Sequence, residues 1–213
     1  MTQNPASTNQ GETTHVKKLV VATHNRDKTR EFSELLNELA VEVLPLDAFP
    51  SIGEVAEDAP TLEGNALLKA RAVHRATGLP SLADDTGLEV YYLNGEPGVY
   101  SSRYSGEGAT YAQNVAKLLV RMRGVPPRRR AARFRCVLAF VSGSGSPVTV
   151  EGVCPGQITE HPRGTNGFGY DPLFLPDGQH LTLAEMDIRL KNTLSHRAVA
   201  MQQIKPFLRE FFK

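Results

Sequence analysis

The stretch Lys18–Leu46, "KLVVATHNRDKTREFSELLNELAVEVLPL", decides the fold. Its first part, "KLVVAT" (Lys18–Thr23), is a short continuous apolar run, the pattern of a strand buried on both faces. The polar loop "HNRDK" follows. Then Phe32, Leu35, Leu36 and Leu39 recur at i, i+3, i+4 and i+7, which lines one face of a helix. "VEVLPL" returns as a second strand. Strand, polar loop, helix and strand make a βαβ-like unit, and the unit predicts an α/β fold.

Outward from this unit, strands and helices keep alternating. A second helix is expected over Leu62–Ala76, with Thr61 as N-cap and "TGLP" (Thr77–Pro80) as its stop. A third is expected over Tyr111–Met122, ending before Gly124. "RFRCVLAFV" and "PVTVEGVC", joined across "SGSGS", read as an antiparallel hairpin. The C-terminal segment, Asn192–Lys213, is helical in pattern, with Pro206 as the expected kink. Together these predict a mixed sheet with helices around it in a single domain, residues 16–213, after a disordered polar tail, residues 1–15.

Composition narrows the function classes. Of the 213 residues, 40% are hydrophobic and 22% charged, ordinary for a globular protein. A net charge of +1 supplies no global field for nucleic acid or an anionic membrane, so an anionic ligand must be held locally. No apolar run approaches the ~20 residues that span a bilayer. The N-terminus lacks the basic and apolar regions of a secretory signal, so a cytoplasmic protein is expected. Cys136 and Cys154 read as reduced, half-buried thiols, and the histidines show no zinc-ligand spacing. The basic run "PPRRRAARFR" reads as a solvated loop.

Five segments carry candidate chemistry. "THNRDK" (Thr23–Lys28) joins a buried strand to a helix, where free N–H groups and the helix dipole favour phosphate. A plain turn with Asp27 as cap fits the same residues. In "ADDTG", Asp84 and Asp85 point to opposite faces if the strand continues, so only one of them faces a pocket. The other then bonds local backbone or a neighbouring loop, and an Asx-type turn at Thr86 and Gly87 fits equally. Glu63 sits in the first turn of the second helix, where the dipole favours it. Were it to converge with Asp85, the pair would offer hard oxygen ligands for Mg2+. "TNGFGYDPLF" (Thr165–Phe174) suits base stacking or a self-closed Ω-loop, and "KNTLSHRAVA" places Lys191, Ser195, His196 and Arg197 either for an anion or base or as a solvated basic face.

Five stretches taken together resemble the inosine triphosphate pyrophosphatase family: "ATHNRDKTREF", "TLEGNALLKARA", "LADDTGLEVYYLNGEPGVYSSRYSG", "GFGYDPLF" and "AEM…KNTLSHRA", in order and spanning nearly all the chain beyond the tail. The resemblance implies an elongated mixed sheet flanked by helices, with two lobes around a central substrate cleft, commonly in a homodimer. It implies Mg2+-dependent hydrolysis of non-standard purine nucleoside triphosphates to a monophosphate and pyrophosphate. By position, Thr23, His24, Asn25, Arg26, Asp27 and Lys28 would hold the triphosphate, Asp85 would be the general base near the metal, and Thr86 would contact substrate. Glu63 would help hold Mg2+, and Phe168, Gly169, Tyr170 and Asp171, with Lys191, His196 and Arg197, would read and stack the base. The family pattern is departed from at two places: in the loop, His24 and Asp27 stand where glycines are usual, and Thr86 stands where serine is usual. Competing readings are a pyrophosphatase of modified pyrimidines, a nucleotide sensor without hydrolysis, and a nucleic-acid module, which the near-zero charge disfavours.

Overall fold

A computed structural model of the chain describes residues 17–143 and 145–213. Strand β1 (Lys18–Val21) and strand β2 (Glu42–Pro45) pair in parallel, joined by helix α1 (Arg26–Leu36), so the opening βαβ unit forms as expected. After helix α2 (Leu62–Thr77), strand β3 (Ser81–Val90) pairs in parallel with β1 on its other side. The short β4 (Pro97–Gly98) pairs with the end of β3, and helix α3 (Tyr111–Arg121) follows it. Strand β5 (Ala131–Val141) runs antiparallel along the whole of β3, and β6 (Val148–Ile158) returns beside it as the expected hairpin. Strand β7 (Phe174–Pro176) closes that edge, giving among the described residues one mixed seven-stranded sheet in the order β2-β1-β3-β5-β6-β7, with β4 paired to β3 off this path. Helices α4 (Ile188–Leu194) and α5 (His196–Phe211) end the chain.

Strand alternation divides the core into layers. Leu82 of β3 and Leu138 and Phe140 of β5 pack against Phe32, Leu35 and Leu36 of α1 and Met201, Ile204 and Leu208 of α5. The intervening residues Ala83, Val137, Ala139 and Val141 face Leu62, Ala66, Ala70 and Val73 of α2. A third cluster gathers Leu88, Val90 and Phe134 with Leu118 and Met122 and with Phe174. Helix α5 seats directly on β6 at Gly152. A Cβ there would lie 2.1 Å from the His196 carbonyl oxygen and 2.3 Å from the Ala200 nitrogen. Only glycine permits that approach.

Thr61 caps α2 by accepting from the Gly64 N–H, and Gly78, at φ 69°, ends it in the left-handed conformation. Other expectations needed correcting. The C-terminal helical segment breaks at Ser195, not at Pro206. Ser195 is extended and its hydroxyl accepts from the Ala198 N–H, which starts α5 afresh. Pro206 lies on an exposed side inside α5, where solvent tempers the loss of one backbone bond. Strand β3 continues through Thr86 and Gly87 without a turn. Cys136 and Cys154 are fully buried rather than half-buried, and burial pushes both thiols up to about 12. Within the basic run, Arg130 is buried and donates to the carbonyls of Met122, Val125, Ile158 and Thr159. The polar tail, residues 1–15, lies outside the described residues. Among those described, no helix is long and apolar enough to cross a membrane.

Candidate active site

Because β3 does not turn, Asp84 and Asp85 project to opposite faces. Asp84 points toward α1 and α5. Its Oδ2 accepts from Arg197 Nη2 at 2.7 Å and from Thr86 Oγ1 at 3.1 Å, and lies 3.1 Å from Lys28 Nζ. Two cations at one buried carboxylate outweigh the burial that would raise its pKa, and Lys28 and Arg197 hold Asp84 well below the usual carboxylate range. The guanidinium of Arg197 is bound on its other side by Glu31 of α1, which also sits 2.6 Å from Lys191 Nζ. Lys191 in turn is 2.5 Å from Asp171 Oδ2. A buried chain of alternating charge thus runs Lys28–Asp84–Arg197–Glu31–Lys191–Asp171, tying β3, α1, α4, α5 and the loop before β7 together.

Asp85 points toward α2, into a poorer electrostatic setting. Lys69 Nζ donates to its Oδ1 at 3.0 Å and Asn65 Nδ2 to its Oδ2 at 3.2 Å. Lys69 is shared, since it also donates to Glu57 Oε1 at 2.6 Å. Burial raises the Asp85 pKa, and Lys69 offsets this only in part because Glu57 repels the charge. Burial alone would lower Lys69, but Asp85, Glu57 and Asp84 raise it to about 12. Asn65 and Lys69 are one helical turn apart on α2 and share the face toward β3.

The structure does not bring Glu63 to Asp85. Two residues before Asn65, it projects from another side of α2 and accepts from Thr149 Oγ1 at 3.0 Å. The carboxylate that joins Asp85 is Glu57, from the loop before α2, also anchored by Arg103. Sequence reasoning missed Glu57 because "GEVAED" (Gly53–Asp58) offers three acidic residues with no periodicity to single one out. The i, i+4 spacing of Asn65 and Lys69 was the available signal.

At the junction of β1 and α1, the N-cap is Asn25 rather than Asp27. Asn25 Oδ1 accepts from the N–H groups of Asp27 and Lys28, and its own N–H donates to Thr23 Oγ1. Arg26 and Asp27 are exposed, and His24 pairs with Asp47 at 3.3 Å. Asp27 therefore stands in solvent, not in the buried charge chain. Of this loop, Lys28 is the residue that reaches Asp84.

The loop before β7 converges on the same chain of charges. Gly167, at φ 69°, lets the backbone pass over Asp171, where a Cβ would lie 2.1 Å from Oδ2. The Phe168 N–H donates to that oxygen at 2.9 Å. The Phe168 ring lies 4.9 Å from Lys191 Nζ and 5.8 Å from the Arg197 guanidinium carbon. Gly169 is left-handed at φ 62° and half-buried. Tyr170, expected to stack on a base, is instead buried in the core with its hydroxyl donating to the Ser101 carbonyl. His196 is buried and stacks on Phe134 at 4.6 Å, and burial with Arg197 and Lys191 nearby lowers its pKa well below the usual value, so the ring is neutral. Lys191, His196 and Arg197 are thus no solvated face. Thr86 shares its hydroxyl with Asp84 and Arg197. Among the described residues, His196 Nδ1 and Arg197 Nε find no hydrogen-bond partner, and both are buried.

The chain is similar in sequence to curated proteins and in fold to solved structures. A protein of Geobacter sulfurreducens named dITP/XTP pyrophosphatase is 48% identical over 191 residues, covering 90% of this chain and 96% of its own. The structure of a HAM1 protein from Coxiella burnetii superposes with a TM-score of 0.82 at 40% identity, covering 92% of this chain and all of that one. A nucleoside-triphosphatase named dITP/XTP pyrophosphatase from Mycobacterium abscessus superposes at 0.70 with 42% identity, covering 89% of this chain and 99% of that one. The sequence profile of the Ham1 family matches residues 19–207, and the chain belongs to that family.

Proposed function

We propose that the protein hydrolyses non-standard purine nucleoside triphosphates, such as dITP, ITP and XTP, to the monophosphate and pyrophosphate. The observation that carries the reading is Asp85, a buried carboxylate with raised pKa that shares Lys69 with a second carboxylate, Glu57. The names of the relatives support the substrate class.

The donor chemistry fits Mg2+. Two hard carboxylates from Asp85 and Glu57, completed by water and phosphate oxygens, form a typical Mg2+ set, and among the described residues no group of three or more His, Cys, Asp or Glu is placed for a metal. In this reading Glu57 takes the ligand role expected of Glu63. When bound, Mg2+ neutralises phosphate oxygens and polarises the phosphorus. Asp85 orients the attacking water and takes its proton, a task suited to a carboxylate whose pKa burial has raised. Lys69 holds both carboxylates in register. Lys28 and the start of α1 face the polyphosphate with positive charge, while the Asp84–Arg197 pair fixes Lys28 from behind.

At the other end, Phe168 offers a ring face to the base. The unpartnered His196 Nδ1 and Arg197 Nε support recognition of a purine by hydrogen bonding. Arg197 Nε can only donate, so it favours O6 of hypoxanthine or xanthine and opposes the amino group of adenine. Incubation with Mg2+ and ITP, XTP, dITP, GTP, ATP and dTTP tests the reading. Pyrophosphate from ITP and XTP with ATP nearly untouched is expected; orthophosphate, or preference for a pyrimidine, overturns it.

A further inference from the structure

Tyr111, the first residue of α3, reaches from the side of the molecule packed around Leu118 and Met122 to the loop that begins α1. Its hydroxyl oxygen accepts from Asn25 Nδ2 at 2.8 Å. The direction of that bond is fixed. Asn25 Oδ1 is committed to two backbone N–H groups, so the amide presents its NH2 outward and the tyrosine oxygen must be the acceptor. Burial, with Asp27 and Asp171 adding to it, raises the phenol pKa, so the hydroxyl keeps its proton. Among the described residues no acceptor takes that proton. The ring of Tyr111 meets Phe168, with centroids 5.9 Å apart and planes tilted by 38°. Tyr111 is nevertheless 42% exposed, so it is no core residue holding α3 in place. The packing of that helix is carried by Asn114 and Leu118.

One side chain therefore touches both ends of the site: the loop before α1 through its hydroxyl, and the base-side ring through its face. We infer that Tyr111 is a substrate-contacting positioning residue, which donates its hydroxyl proton to the polyphosphate and closes its ring over the purine beside Phe168. This rests on the pyrophosphatase reading. An anion entering beside Asn25 meets an O–H already polarised by the amide donor behind it. A base arriving at Phe168 meets a second aromatic face beside it, from the start of α3.

Substituting Tyr111→Phe and Tyr111→Ala separates the two contacts, and the exposure of the side chain lets both variants fold. With XTP, Tyr111→Phe is expected to raise KM about five- to tenfold, the loss of one hydrogen bond to an anion, with kcat within about twofold. Tyr111→Ala is expected to raise KM about three- to tenfold further as the ring contact is lost. Calorimetry with fragments reads the same split without turnover. Tripolyphosphate affinity falls equally in both variants, whereas inosine affinity falls only in Tyr111→Ala. If KM and both fragment affinities stay within twofold of the unsubstituted protein, or if the loss is confined to kcat, the inference is overturned. Absence of pyrophosphate release by the unsubstituted protein would instead overturn the pyrophosphatase reading, and the fragment affinities would still decide the role of Tyr111.

Discussion

On one face of β3, Asp84 receives Arg197, Lys28 and Thr86 and is held ionised below the usual carboxylate range. One residue later and on the other face, Asp85 receives a single cation that it shares with Glu57, and its pKa is raised. The two side chains have the same chemistry and nearly the same burial. What separates them is the balance of neighbouring charge: a carboxylate with a surplus of cations becomes part of the framework, and one with too few becomes a group ready to take a proton.

The strongest way to break this contrast is at Asp85. Asp85→Asn is expected to lower kcat on the order of 10²–10⁴-fold, the usual worth of a general base, while nucleotide still binds. Its thermal midpoint should equal or exceed that of the unsubstituted protein, because a carboxylate that buried costs stability when ionised. A clear loss of midpoint would show Asp85 to be part of the framework after all.

Asp84→Asn should act through the fold. It leaves Arg197 and Lys28 facing each other without their shared counter-charge, at a cost of about 3–5 kcal/mol, read by denaturant unfolding. The two carboxylates also differ in sign with pH. The folded pKa of Asp84 lies below the ordinary 3.8, so its stabilisation is present at neutral pH and is lost as pH falls through 3.8 toward the folded value. The folded pKa of Asp85 lies above 3.8, so ionisation costs stability at neutral pH and the cost vanishes as pH falls to that value. The stability difference between Asp84→Asn and Asp85→Asn should therefore be wide at pH 7 and shrink toward pH 3. A difference that stays constant across that range would remove the electrostatic account.

A smaller effect sharpens the Asp85 side. Glu57→Gln is expected to raise the Mg2+ concentration for half-maximal rate on the order of ten- to a hundredfold. Glu63→Gln should leave it within about twofold. The reverse ranking would return the ligand role to Glu63.

Much of this was legible in the residues. The βαβ unit follows from an apolar run and a helical stripe, and the opposed facing of Asp84 and Asp85 follows from strand alternation alone. Glu57 was not legible, because a loop residue is brought to its partner by tertiary packing and leaves no period in the sequence. Arg130 was misread for a related reason: its charge is met by four backbone carbonyls, and carbonyls carry no sequence signature. Ser195 outranked Pro206 as the helix break because a hydroxyl that caps a new helix outweighs a proline on a wet face.

The seat of α5 on β6 at Gly152 places His196 and Arg197 by contact between main chains, with no side chain to act as a spacer. The depth at which these two residues sit is thus gauged by a missing methyl group. Such a gauge allows no graded adjustment, since the smallest enlargement at Gly152 would lift both residues together and pull Arg197 from Asp84. In the proposed reading, a change of base preference that leaves the fold intact is expected at Phe168 and Tyr111, which are not locked into this main-chain contact.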